Sequence, residues 1–313
     1  MRLLRFLASI LLAFGCLACQ PQDNASSPNE EREQRIVLVS GATGRQGGAV
    51  ARELIGRGYH VRALTRNPAS DRAQALAALG IELVKGDFED RKSLDRALRG
   101  AHGAFSVQDF WEHDYEGEVR QGKNFADAAK AADIQHLVYS SVGSAGKKTG
   151  IPHFESKFEI EEHIRALGLD YTILRPVSFM EGWDREQILA GRLVHALDPE
   201  VPQQYIAVQD IGTFAAMAFE HPGGWLGREL DIAGDELTMT ELAAIFSRVT
   251  GKTVTYEQVP WSELEPGWGA ELTTMFRWFN DVGYSADIAA LRAEHPGLKT
   301  VEQFLRDGGW AAD

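Results

Sequence analysis

The sequence predicts an α/β protein: a doubly wound parallel sheet with a smaller C-terminal α/β substrate domain. Three observations predict it. The run Ile36 to Val39, β-branched at three positions, passes at once into Gly41, Gly44 and Gly47, then into a helical stretch and a second strand-like run. Strand-like runs then alternate with helix-length segments as far as Arg175, the pattern of parallel βαβ units. Beyond it, short strands, two capping boxes and an aromatic-rich stretch mark the smaller unit.

The glycines come first, spaced G-x-x-G-x-x-G. Gly41 lets the chain turn sharply off the first strand, Gly44 lets backbone approach a pyrophosphate, and Gly47 lets the new helix pack on the sheet. Thr43, Arg45 and Gln46 stand in the same turn and complete its cofactor-binding set. The helix from about Gly47 to Arg57 aims its unpaired N–H groups at the turn, a site for a diphosphate. Ala49, Val50, Leu54 and Ile55 give it one apolar face, and Gly56 and Gly58 end it. His60 to Thr65 is the second strand. An NAD site usually carries Asp or Glu at its end to hold the ribose 2′-hydroxyl, and Thr65, Arg66 and Asn67 stand here instead. Arg66 offers a planar fork suited to a 2′-phosphate, so the expected cofactor is NADP(H), with NAD(H) as the alternative.

A short helix over Asp71 to Leu79 stops at Gly80, and Ile81 to Val84 form a third strand. Asp87 then either reaches the adenine or caps the helix that carries Leu94, Ala97 and Leu98. Ala101 to Val107 read as a fourth strand, and Gln108 to Trp111 fall where the nicotinamide would lie. The helix from Gly117 to Ala131 buries Val119, Phe125, Ala128 and Ala129, and His136 to Ser140 are the fifth strand. Ser141 follows it, and Lys157 sits on a helix that begins near His153. Leu169 to Arg175 supply a sixth strand, which sets the expected nucleotide-binding domain at 36–178 and the smaller domain at 179–313.

Ser141 and the helix ending in x-x-x-Lys157 resemble the catalytic set of the extended and atypical short-chain dehydrogenase/reductases, Ser with Tyr-x-x-x-Lys. In those enzymes Tyr transfers the proton, Lys holds the nicotinamide ribose and lowers the Tyr pKa, and Ser orients the carbonyl. His153 occupies the Tyr position here, either as a proton donor or as a polar residue lining the crevice. Tyr139 and Tyr171 read as strand residues and poor substitutes. Taken together, GATGRQGG, VRALTRNP, FWEHDYEGEVRQGKNFADAAKAA, HFESK and LRPVSFMEGW resemble the NmrA-like family over nearly the whole chain from Ile36 onward. The resemblance implies a Rossmann domain for NADP(H) or NAD(P), frequent loss of the catalytic Tyr, and members that are redox-sensing regulators or reductases. It implies Arg66 at the adenosine 2′-phosphate and Lys157 near the nicotinamide ribose. The expected function is therefore a redox-responsive NADP(H)-binding protein with little or no classical dehydrogenase activity; the alternative is an NADPH-dependent reductase of a quinone or similar acceptor. Lys157, Ser141 and His153 are the catalytic candidates.

In the C-terminal part, Phe179, Met180 and Trp183 either line an apolar pocket or seal the two domains together. The family resemblance places a segment near 205–222 back on the nucleotide domain. Thr238 with Glu241, and Thr300 with Gln303, are capping boxes, and Thr253 to Val259 read as a strand. Trp261, Trp268, Phe276, Trp278 and Phe279 form an aromatic-rich region that is a core, a pocket or a partner surface.

Composition excludes several classes. A formal charge of −13 over 313 residues, with no basic run, argues against a nucleic-acid-binding face. Both cysteines, Cys16 and Cys19, precede residue 20, so the rest of the chain has no disulfide, thiolate metal site or cysteine nucleophile. His102, His113, His136 and His163 are scattered and read as surface or packing residues, so no metal is expected. Arg2 and Arg5 flank the start of an apolar run, which resembles a bacterial lipoprotein signal over 1–19 with Cys19, or secondarily Cys16, as the lipidated residue. Residues 20–35 then read as a polar tether. The expected location is the bacterial cell envelope, on the membrane through that lipid. An uncleaved anchor, or a mis-assigned start that leaves the protein cytoplasmic, are the alternatives. The substrate or partner protein stays open.

Overall fold

The structure is a computed structural model that describes residues 35–310. The expected signal and its two cysteines lie outside the described residues. Six strands, β1 (Ile36–Val39), β2 (His60–Thr65), β3 (Glu82–Lys85), β4 (Gly103–Ser106), β5 (His136–Ser140) and β6 (Tyr171–Pro176), alternate with helices α1 (Arg45–Gly56), α2 (Asp71–Ala77), α3 (Arg91–Leu98), α4 (Phe110–Ala131) and α5 (Pro152–Ala166). A seventh strand comes from far along the chain. After β7 (Ser178–Phe179), α6 (Arg185–Leu189), β8 (Arg192–His195), β9 (Gln203–Ile206), α7 (Val208–Glu220) and α8 (Pro222–Trp225), β10 (Glu229–Ile232) joins β6, giving the sheet order β10-β6-β5-β4-β1-β2-β3. Every pairing in this sheet is parallel.

The two-residue period of the strands explains the two-faced sheet. Val37 and Val39 face one layer with Val50, Ala51 and Leu54 of α1 and Phe214 and Ala215 of α7, whereas Leu38 faces the other with Leu94, Phe125 and Ile160 of α3, α4 and α5. The expected return of the segment after residue 205 is seen in α7, which packs directly on α1. A Cβ on Gly212 would lie 2.9 Å from the Ala49 carbonyl, so only glycine permits that approach.

The strand order reverses between β1 and its neighbours β2 and β4, which opens a crevice at the carboxyl ends of the strands. The smaller layer that faces this crevice is built from β7, β9 and β11 (Asp235–Leu237), the pair β8 and β12 (Thr255–Gln258), helices α9 (Met239–Thr250) and α10 (Trp261–Asp281) and, beyond α11 (Ile288–Glu294), whose Leu291 joins the core between α1 and α7, helix α12 (Val301–Asp307). Both expected capping boxes form, at the start of α9 and of α12. One helix departs from expectation, and one in the aromatic-rich stretch, where no helix is expected, is kinked. α4 begins at Phe110 rather than Gly117 because Asp109 caps a first turn, which a left-handed Asp114 (φ 57°) separates from the rest. α10 bends in the same way at Gly269 (φ 86°), where glycine carries no steric penalty.

Candidate functional site

A cleft of about 1490 Å³ runs along the carboxyl ends of β1, β2, β4 and β5 and under the C-terminal layer. Every site residue expected from the sequence lines it, from Gly41, Thr43, Gly44, Arg45, Gln46 and Gly47 through Arg66 and Asp87 to Ser141, His153 and Lys157.

The glycine turn is built for close backbone approach. Gly41 has φ +58°, and a Cβ there would sit 2.8 Å from Val107 Cγ1. At Gly47 the constraint is tighter, since a Cβ would lie 2.4 Å from the carbonyl oxygens of both Ser40 and Gly41. The Gly44 N–H donates to the Gly41 carbonyl at 2.9 Å and closes the turn. No side chain caps α1, although side chains cap α3, α4 and α9. The first amides of α1 are therefore left to face the cleft with the positive end of the helix dipole, which fits a pyrophosphate. Gln46 takes part differently from a free ligand-binding amide: its Oε1 accepts the Ser140 hydroxyl at 2.6 Å, tying the helix start to β5.

At the adenosine end, Arg66 is on the rim and makes a two-pronged ion pair with Glu112, Nη1 to Oε1 at 2.7 Å and Nη2 to Oε2 at 3.0 Å. That pairing holds the Arg66 guanidinium above its ordinary pKa and the Glu112 carboxyl below its own. Asp87 is not the cap of α3; Asp90 is, and Asp87 lines the cleft while its carboxylate accepts the Glu89 N–H at 2.9 Å.

At the other end, the Lys157 ammonium bonds the carboxylate of Glu118, which is fully buried on α4 and also accepts the Ser156 hydroxyl at 2.5 Å. Lys157 is thereby held in the cleft wall. The Ser141 hydroxyl is buried without a partner, an orphan that a bound ligand would satisfy. His153 is packed among Phe110, Trp111 and Phe154, and its Nδ1 meets Glu271 of α10 at 2.6 Å. Burial pushes the ring below its ordinary pKa despite the Glu271 hydrogen bond that acts the other way. Burial thus favours the uncharged ring, and a carboxylate orients it. Tyr139 cannot take the missing Tyr role: it is fully buried in the sheet core, with its phenol unpartnered and raised well above the ordinary value by burial. Tyr171 bonds Glu229 instead.

Phe179 and Trp183 line the cleft, whereas Met180 is in the core of the C-terminal layer. Phe276 and Phe279 of the aromatic stretch belong to that same core and also wall the cleft, so the two readings of that stretch merge. Sequence reasoning missed Glu112, Glu118, Glu271, Tyr205 and Tyr284. Glu118 left a signal, because it falls on the buried stripe of α4 with Gln121, Gly122 and Phe125, where a carboxylate requires a cation. Glu271 left none, since its partner is 118 residues away in sequence. Tyr205 and Tyr284 line the cleft, and burial raises both phenols.

Together, the sheet order, the glycine turn and the placed lysine define a dinucleotide-binding α/β protein of the short-chain dehydrogenase/reductase type. More narrowly, the chain belongs to the NmrA-like family, whose model matches residues 33–305. It is 33% identical over 257 residues to the NmrA-like oxidoreductase FrzB of Cladobotryum sp, covering 72% of this chain and 76% of that protein. It is 30% identical to the nitrogen metabolite repression protein nmrA of Emericella nidulans, covering 75% of this chain and 71% of that protein. Among solved structures it resembles NmrA, a negative transcriptional regulator, in complex with NADP (TM-score 0.72, 25% identity, 88% of this chain and 95% of that one). It also resembles an NADPH-dependent quinone oxidoreductase of Escherichia coli (TM-score 0.73, 25% identity, 87% of this chain and 98% of that one).

Proposed function

We propose that this protein binds NADP(H) and acts through its bound state, as a redox-responsive sensor or regulator with little or no classical dehydrogenase activity. One observation carries the reading: the cofactor cradle is complete while the proton donor of the reductases is replaced. The glycine turn receives the diphosphate, Arg66 the 2′-phosphate and Lys157 the nicotinamide ribose, but the Tyr position holds a buried imidazole bonded to Glu271. The bound nicotinamide would supply hydride chemistry, and this chain's own residues bind and orient it. The regulator and oxidoreductase relatives support a family that serves both ends.

The test is titration of the purified full-length chain with NADPH and NADH. NADPH should bind more tightly, and Arg66→Ala should erase most of that preference; equal affinities in the parent overturn the cofactor assignment. A second reading, reduction of a quinone-like acceptor, is favoured by the apolar walls from Phe179, Trp183 and Phe279 beyond the nicotinamide end. NADPH consumption with a quinone panel that Lys157→Ala stops would displace the sensor reading. Attachment to the envelope through Cys19 is our reading of the N-terminal sequence. Palmitate labelling in cells that Cys19→Ala abolishes would support it, and a label that persists would reject it.

A further inference from the structure

The first turn of α4 lies across both ends of the cleft. It carries Glu112, whose carboxylate fills the Arg66 fork at the adenosine end, and Trp111, whose ring is 5.1 Å from that of His153 at the nicotinamide end. Asp114 separates this turn from the rest of the helix with φ 57°, a left-handed conformation at a residue other than glycine. The turn is therefore a short piece with its own hinge.

The Arg66–Glu112 pair is well exposed, 59% and 47% for the two side chains, so water screens it and its net worth is small. A 2′-phosphate brings more charge and more acceptor oxygens to the same guanidinium. It also meets an acidic mouth, because Asp87, Asp109 and Glu112 all line this end of the cleft. The carboxylate and the phosphate need the same donors on Arg66, so the two compete.

We propose that Glu112 is a cofactor-specificity residue: in the free protein it occupies the Arg66 fork, and a 2′-phosphate must displace it whereas a 2′-hydroxyl leaves it in place. This rests on the NADP(H)-binding reading. Glu112 lowers the preference for NADP(H) and keeps the site open to NAD(H), since a carboxylate at this rim is the kind of acceptor that ribose hydroxyls use. Only the phosphorylated cofactor releases the 109–113 turn, which then carries Trp111 away from His153. Binding of the 2′-phosphate is thereby coupled to the face of the cleft where an acceptor or partner would sit.

The experiment compares NADPH and NADH dissociation constants for the full-length parent, Glu112→Gln, Arg66→Ala and the double variant. Glu112→Gln should bind NADPH about tenfold more tightly with no gain for NADH, and Arg66→Ala should abolish that gain in the double variant. Equal changes for both cofactors, or none, overturn the inference. A parent that binds neither cofactor overturns the cofactor reading itself, and this inference with it. As a second readout, NADP⁺ should change a tryptophan fluorescence component that disappears in Trp111→Phe, and NAD⁺ should leave it unchanged; an identical response to both overturns the coupling.

Discussion

Glu118 of α4 and Glu161 of α5 are fully buried carboxylates on neighbouring helices, and they do opposite work. Glu161 is closed in on every side. Arg175 donates to it from Nε at 2.8 Å and Nη2 at 2.6 Å, Arg165 from Nη2 at 2.6 Å, and both arginines also hold Glu229 of β10. That cluster fastens the edge strand to the sheet and leaves no charge facing the cleft. Glu118 meets one lysine and one serine, and the lysine lies in the cleft wall. The difference teaches that a buried carboxylate becomes part of a binding site when its counter-ion is left with hydrogens to spare.

Breaking the closed cluster should have the largest effect. Glu161→Ala leaves two arginines with Glu229 and the more distant Asp231, 3.9 Å from Arg175, and should cost about 3–5 kcal/mol of unfolding free energy in urea, with dinucleotide affinity unchanged at temperatures where the variant is folded. Next comes a buried group without any counter-charge, which sharpens the contrast. Burial against Phe219 pushes the His136 ring down to about 4, and its Nδ1 has no partner. The unfolded chain binds that proton more readily, so the stability His136 contributes is present above its ordinary value of 6.5 and is lost as the pH falls toward 4. Unfolding midpoints between those values should fall by the equivalent of roughly 3 kcal/mol at most, and less so in His136→Asn. Glu229 adds a lower window: Arg165 holds its carboxyl below the ordinary 4.5, so its contribution disappears only as the pH drops through the acid range.

Opening the site cluster should instead change binding. Glu118→Gln frees Lys157 to swing and should weaken dinucleotide affinity about tenfold, or 1.4 kcal/mol, while costing less stability than Glu161→Ala; the reverse order would erase the distinction. The smallest effect belongs to another ion pair between α4 and α5. Lys123 Nζ and Glu159 Oε1 are 2.6 Å apart but about a third exposed, so Glu159→Gln should change stability by under about 1 kcal/mol and leave binding alone.

The glycine turn was legible because a strand, a turn that needs φ > 0 and a helix start place Gly41, Gly44 and Gly47 within a few residues of one another, and Lys157 was legible from its four-residue spacing to His153 on one helix. His153 was legible as a substitution at a known spacing, but the carboxylate that orients its ring is delivered by α10, from the far end of the chain, and the burial that lowers its pKa comes from the packed aromatic rings around it. Arg66 was visible as the strand-end cation. Its partner Glu112 was hidden because the expected start of α4 lay seven residues too late, Asp109 and Asp114 having made an extra hinged turn that periodicity does not reveal. The seventh strand was missed for a related reason. Glu229–Ile232 is four residues long and mostly half-buried, and what makes it a strand is the open edge of β6 and the two arginines that hold Glu229.

By itself the sequence determined the parallel βαβ half, the glycine turn, the place of the lysine and the absence of a tyrosine four residues before it, because each depends on contacts or backbone conformations within one strand–turn–helix unit. Only the tertiary structure decided which charges those residues would meet. Glu118, Glu112 and Glu271 reach Lys157, Arg66 and His153 from other elements, and the strength and protonation of such pairs follow from burial and distance, which sequence separation does not encode.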